Sequence, residues 1–254
     1  MVSLDVQNID KLMSPDDDSQ GKENKPIHPW LIPHKSRVVV VGASSSGKTN
    51  WLCDAIISPK LRYEKIFCYS RNLDQPKYEF MKKELQNTED LIEDQIIMAW
   101  ENTLDNLVEL TDLDIQCQNL IIIDDFNIAN KVERAKLANL YTQCRHRNAS
   151  IIFLAQLLFQ VDRAIRNNLS HLVIFNNNNK REIELMAREI GADLEKHQFQ
   201  KMYNRILNKK YKFMMVDLFN EDPSLKYRDG YRPYGVQTTL PTKPCRPKGQ
   251  FTFL

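Results

Sequence analysis

Residues 37–57 read RVVVVGASSSGKTNWLCDAII. A run of four valines is stiff at the first side-chain torsion, favours extended backbone, and is best satisfied when both faces of the strand are covered. The run feeds directly into Gly42-Ala43-Ser44-Ser45-Ser46-Gly47-Lys48-Thr49, and Asn50–Ile57 then reads as a helix that stops near Ser58 and Pro59. A buried strand, a glycine-bracketed turn and a helix in that order commit the chain to an α/β arrangement, because the helix must fold back onto the sheet its strand belongs to.

The rest of the chain repeats the alternation. Further strands are expected at Lys65–Tyr69, Ile96–Ala99, Leu120–Ile123, Ile151–Leu154, Leu172–Phe175 and Lys212–Val216, mostly as apolar runs of four or five residues. Helical stretches fall between them at about 76–86, 103–112, 131–144, 160–168, 181–190 and 195–208. The expectation is a mostly parallel sheet with helices on both faces, occupying residues 37–220. Residues 1–36, with Asp16–Asp18 and prolines 15, 26 and 29, read as a weakly ordered N-terminal arm whose end (Trp30, Leu31, Ile32) docks on the domain. Residues 221–254 read as an extended basic tail, an arm or partner-binding strap.

Composition removes several classes. With 254 residues the chain has room for one large domain, and no segment approaches the ~18 apolar residues of a membrane span. The N-terminal residues contain no apolar stretch of secretory-signal length, so an intracellular setting is expected. Five cysteines, scattered and without CxxC spacing, read as reduced thiols rather than a zinc site. Net charge is only +2, yet residues 201–254 carry 11 bases against 4 acids. That imbalance is either a solvated surface or a face for a polyanion.

The loop from Gly42 to Thr49 fits G-x-x-x-x-G-K-[ST]. Backbone N–H groups that turn inward around phosphate oxygens need glycine where side chains would collide, and the following helix adds its positive N-terminal end. Lys48 then reaches the β- and γ-phosphates, Thr49 ligates Mg²⁺, and Asn50 completes the segment that holds ATP. Downstream, Asn119-Leu-Ile-Ile-Ile-Asp124-Asp125 places two carboxylates at the end of a buried strand. At that edge Asp124 would hold Mg²⁺, directly or through water, and Asp125 would orient or deprotonate the attacking water. A third strand, Ile151–Leu154, ends in Gln156, a polar group able to sense the γ-phosphate. Arg145, Arg147, Arg163 and Arg166 flank it. One or two of them would serve as an arginine finger on a neighbouring subunit, with Arg145 and Arg166 favoured.

GASSSGKT, LIIIDD, CRHRNASIIFLAQ and VDRAIRNNLSHLVIF, in that order, resemble the FtsK–HerA superfamily, and most of all its genome-packaging ATPases of poxviruses, other large DNA viruses and virophages. The resemblance spans about residues 28–220. It implies a RecA-like P-loop NTPase core of the additional-strand type, working as a pentameric or hexameric ring that pumps double-stranded DNA into a capsid. It places Arg145 and His146 on the family's Arg-His element, Gln156 on its sensor, and Arg166 and Asn167 on its later Arg-Asn element. It also implies action in the host cytoplasm or a viral factory, virion association, and a capsid or portal-vertex partner. Asp125 departs from the pattern, since many relatives place Glu there.

Sequence-independent contacts to DNA phosphates would come from Lys180-Arg181, Arg205, Lys209-Lys210 and Lys212, with Asn176–Asn179 as a flexible loop near a pore. Three other readings stay open: a cellular HerA-like translocase or helicase, a slow ATP-dependent switch or assembly factor, and a small-molecule kinase.

Overall fold

A computed structural model of the chain describes residues 28–58, 60–89, 96–126, 130–191, 194–220 and 222–235. Its strands are β1 (Arg37–Val41), β2 (Lys65–Ser70), β3 (Ile97–Glu101), β4 (Asn119–Asp124), β5 (Ala149–Ala155), β6 (His171–Phe175), β7 (Phe213–Asp217), β8 (Tyr227–Asp229) and β9 (Arg232–Pro233). Its helices are α1 (Lys48–Ile57), α2 (Pro76–Glu89), α3 (Lys131–Gln143), α4 (Arg163–Arg166), α5 (Lys180–Glu189), α6 (Lys196–Ile206) and α7 (Pro223–Lys226).

All nine strands form one sheet in the order β3-β2-β4-β5-β1-β6-β7-β8-β9. The first six are parallel. β7 turns antiparallel to β6, because two helices, α5 and α6, carry the chain away from and back to the same sheet edge. β5 lies between β1 and β4, so one strand separates the glycine loop from the acidic pair, as the additional-strand type requires.

Period-two alternation divides the core. Val38 and Val40 of β1, Leu120 and Ile122 of β4, and Ile152 and Leu154 of β5 pack on one face against α1 and α2, through Trp51, Leu52, Tyr78 and Met81. Val39, Val41, Ile121, Ile123, Ile151 and Phe153 face the other way, against Leu137 and Tyr141 of α3, Met186 of α5 and Phe199 of α6. Covering both faces is what makes these strands continuous apolar runs.

Several expectations need correction. Residues 102–109 form no helix, and only a 3₁₀ turn at Leu110–Asp112 follows. Leu104, Leu107 and Val108 have helical spacing and are buried, but the Tyr69 hydroxyl donates to Asn106 O (3.2 Å) and accepts from Val108 N (3.0 Å), holding the segment as turns. The helix expected at 160–168 shrinks to α4, whose N-cap is the Asp162 carboxylate accepting from Ala164 N (2.8 Å). Within the expected arm, residues 28–36 are docked: Ile32 and His34 are buried, and His34 hydrogen-bonds with Asn148 and Ser150. Burial holds the His34 imidazole below its ordinary range despite the bonds to Asn148 that oppose it. Residues 1–27 lie outside the described residues.

The sheet also runs past residue 220. β8 pairs antiparallel with β7, and β9 with β8, so residues 227–233 belong to the sheet rather than to a loose tail. Arg228, 2% exposed, ties this hairpin down: its guanidinium donates to Asp217 (2.7 Å), to Trp30 O (2.8 Å) and to Leu225 O (3.0 Å). Residues 236–254 lie outside the described residues.

Candidate functional site

The glycine loop joins the end of β1 to the start of α1, at the edge of the sheet where the parallel strands end. In a parallel sheet flanked by helices this carboxyl edge is where ligands bind. Gly47 sits at φ 122°, and a Cβ there would come within 2.9 Å of the Tyr211 ring and 3.1 Å of the Phe175 ring, so only glycine fits. Ala43, Ser44 and Ser45 are exposed, Ser46 is half-buried, and Ser45 takes left-handed backbone at φ 59°. Helix α1 carries no acid in its first turn to compete for its N-terminal N–H groups. Lys48 donates to Gly42 O (2.7 Å) and Ala43 O (3.0 Å), folded along the loop it would serve. Burial lowers its pKa, and Asp124 and Asp125 pull the other way.

The two acids occupy different environments. Asp124 ends β4 and is 7% exposed. Tyr78, buried on α2, donates its hydroxyl to Asp124 Oδ2 at 2.5 Å. Burial pushes the Asp124 carboxyl up to about 6, against the opposing effect of the Tyr78 hydrogen bond and Lys48. Asp125 is exposed and holds left-handed backbone at φ 60°. That turn lifts its side chain out of the strand, towards the neighbouring strand ends. Asn72, just past β2, donates to Asp125 Oδ2 (3.1 Å), and Gln156, just past β5, donates to Asp125 Oδ1 (3.4 Å).

Asp125 and Gln156 are thus brought together, with Asn72 as a third member absent from the sequence reading. Its signal was weak, because only the sheet order β2-β4-β5 puts these three strand ends side by side. Tyr78 was missed for the same reason. Asn177 is a further addition: buried, it donates to Gln156 O (3.3 Å), while its own N–H donates to the Tyr203 hydroxyl (2.8 Å). Asn176 O in turn accepts from Ala43 N (3.3 Å). The Asn176–Asn179 segment is therefore a stitch between the glycine loop and the Gln156 turn, not a free loop, and Asn179 caps α5.

Thr49 and Asp124 would offer one hydroxyl and one carboxylate to a divalent ion. No group of three or more His, Cys, Asp or Glu side chains able to hold a metal occurs among the described residues. Such a donor set suits Mg²⁺, which takes one or two protein oxygens and fills its octahedron with phosphate and water.

The arginines separate from this cluster. Arg145 and His146 are exposed in a 3₁₀ turn at Cys144–Arg147, which precedes β5. Gln156 follows the same strand, whose seven residues span about 20 Å. Arg145 therefore lies at the opposite edge of the sheet from its own glycine loop. Arg166 is engaged within the chain: its Nε lies 3.2 Å from Glu189 Oε2, and its Nη1 donates to Leu158 O at 3.3 Å. Its side chain is 14% exposed, so this arrangement does not offer it to a neighbour. Arg163 and Arg166 are the first and last residues of the short helix α4. Glu182, fully buried on α5, accepts from Leu158 N and from Phe159 N (3.4 Å), and burial raises its pKa.

Of the basic residues expected to touch a polyanion, Lys180 and Arg181, which follow β6, and Lys209 and Lys210, which precede β7, are exposed at the carboxyl edge of the sheet. Arg205 lies over the Tyr234 ring (5.7 Å), and Lys212 pairs with Asp229 (3.5 Å).

A phosphate loop between β1 and α1, an acidic pair closing the strand two places away, and a polar strand end between them define a P-loop ATPase with an inserted strand. The family model of the poxvirus A32 protein matches residues 28–222, and the chain belongs to that family. Among solved structures, the fold is shared with the DNA-packaging ATPase B204 from Sulfolobus turreted icosahedral virus, at 15% identity over 72% of this chain and 92% of that one, with a TM-score of 0.51. The genome packaging NTPase B204 from Sulfolobus turreted icosahedral virus 2, in complex with AMP, is 18% identical over 72% of this chain and 92% of that one, with a TM-score of 0.49. The flagellar accessory protein FlaH from Methanocaldococcus jannaschii is 17% identical over 63% and 77% of the two chains, with a TM-score of 0.41. No curated protein sequence matches.

Proposed function

We propose that this ATPase packages a viral genome, working as a ring that drives double-stranded DNA into a capsid. Membership of the poxvirus A32 family supports the reading. The observation that carries the ring is the separation of Arg145 from its own phosphate loop by the length of β5. An exposed arginine at that edge can stabilise phosphoryl transfer only in a neighbouring subunit's site.

The geometry supports the following roles. The loop N–H groups and Lys48 hold the phosphates. Thr49 and Asp124 would hold Mg²⁺, which would supply positive charge against the negative charge that builds on the phosphates. Asp125 orients the attacking water and accepts its proton as the oxygen bonds to the γ-phosphorus and the bond to the β–γ bridging oxygen breaks, giving ADP and phosphate. Asn72 and Gln156 hold Asp125 from its two sides. Gln156 passes the change at the γ-phosphate to Asn177 and to the turn that Glu182 caps, and so to α5. Lys180 and Arg181 begin that helix and are positioned to grip DNA phosphates and let go without reading sequence. Arg166 is a positioning residue for α4 rather than the finger. Packaging places the protein in the host cytoplasm or a viral factory, with a capsid or portal-vertex protein as partner.

A triplex-displacement assay tests translocation. ATP, but not a non-hydrolysable analogue, should strip a third strand from duplex DNA at a rate independent of the duplex sequence. Hydrolysis stimulated by DNA with the third strand left in place would argue for a switch or assembly factor instead.

A further inference from the structure

The acidic pair and Gln156 fix which way a nucleotide must lie. They stand at the ends of β4 and β5, on one side of β1. The γ-phosphate therefore points to that side, and the nucleoside must leave the loop on the other, over β6 and β7. At a strand spacing of about 4.8 Å, β7 lies roughly 10 Å from β1, within reach of a base whose β-phosphate sits in the loop.

The residue waiting there is Tyr211, in the turn that enters β7. Its ring lies against Gly47, since a Cβ on that glycine would approach Tyr211 Cδ1 to 2.9 Å. The side chain is nonetheless 55% exposed. Its backbone is left-handed, at φ 67°, a conformation that a bulky aromatic rarely holds and that turns often assign to Gly or Asn. Phe175, whose ring also borders Gly47, packs on Phe213 with ring centroids 5.7 Å apart, so the same glycine is walled by a fixed aromatic pair. Lys210 lies over the ring with its Nζ 5.0 Å from the centroid, an exposed cation–π contact that a base can displace.

We infer that Tyr211 is the stacking platform for the nucleobase of the bound nucleoside triphosphate. The inference rests on the nucleotide reading of the phosphate loop, and it is independent of DNA and of the ring. An aromatic face takes any base, so Tyr211 supplies affinity for a nucleoside over bare polyphosphate rather than a choice among bases.

Calorimetric titration of the full chain with Mg²⁺ and either ATP or tripolyphosphate tests this. Tyr211→Asn suits the left-handed backbone while removing the ring, and Tyr211→Phe keeps the ring. Asn should raise the Kd for ATP about tenfold and leave tripolyphosphate unchanged, and Phe should bind ATP like the wild type. An equal loss for both ligands in the Asn variant would assign Tyr211 to shaping the Gly47 turn and overturn the inference. So would an unchanged ATP affinity. A wild-type chain that binds neither ligand would instead overturn the nucleotide reading on which the inference stands.

Discussion

Asp124→Asn should make the protein more stable while removing its chemistry. The Asp124 carboxyl is 7% exposed, and burial lifts its pKa from 3.8 to about 6. At about 1.4 kcal/mol per tenfold change in acidity, holding that carboxylate ionised at pH 7.5 costs the fold about 3 kcal/mol. Asparagine carries no charge and still offers an oxygen to the Tyr78 hydroxyl, so most of that cost is recovered, about 2 kcal/mol. For a chain of this size that is about 4–8 °C in Tm. The pH dependence follows from the direction of the shift. A raised pKa means that the native state binds more protons than the unfolded state, so Asp124 is harmless below about pH 4 and penalises the fold as pH rises through about 6. Thermal melts of both proteins from pH 4 to 8 should show a gap that opens over this window. Taking the difference between the two proteins cancels the other carboxylates. Adding Mg²⁺ and ATP should then stabilise the wild type more than the variant. A gap that does not change with pH, or a variant less stable at pH 7.5, would mean that the Asp124 carboxylate does not burden the fold.

Three further outcomes are expected. Asn72→Ala should lower kcat for ATP about tenfold to a hundredfold with KM within about twofold, because it frees Asp125 on one side without touching the phosphate loop; steady-state kinetics decide this. Glu182→Ala should cost about 2–4 kcal/mol in urea unfolding, because it strands the N–H groups of Leu158 and Phe159, whereas Glu182→Gln keeps an acceptor and should cost less. Lys48→Ala and Arg145→Ala should each be inactive alone, yet a mixture should regain activity, since one supplies a finger and the other an intact phosphate site. No recovery on mixing would deny the role of Arg145 in trans.

The sequence carried information wherever one local rule determined the outcome. β1, β4, β5 and β6 are buried on both faces, so each appears as an uninterrupted apolar run and was visible without the structure. The phosphate loop was visible because its glycines answer a backbone need. What could not be read was adjacency. Asn72 is an ordinary turn residue until β2 is known to lie beside β4, and Tyr78 is an ordinary helical tyrosine until α2 is known to cover the end of that strand. Residues 102–109 imitated a helix through the spacing of Leu104, Leu107 and Val108, and the Tyr69 hydroxyl overrode it from another strand. Arg166 resembled a free finger because its partner Glu189 lies on α5, beyond a whole strand of sequence. The basic count of the last fifty residues concealed that Arg228 is a buried structural cation, bound to Asp217 rather than available to DNA.

The catalytic unit we propose is a ring completed by a neighbour. The decisive measurement is specific ATPase activity against protein concentration, with and without duplex DNA. Activity per chain should rise as subunits assemble and rise again when DNA is added. A specific activity that stays constant across concentration and is indifferent to DNA would rule out a ring completed by a neighbour.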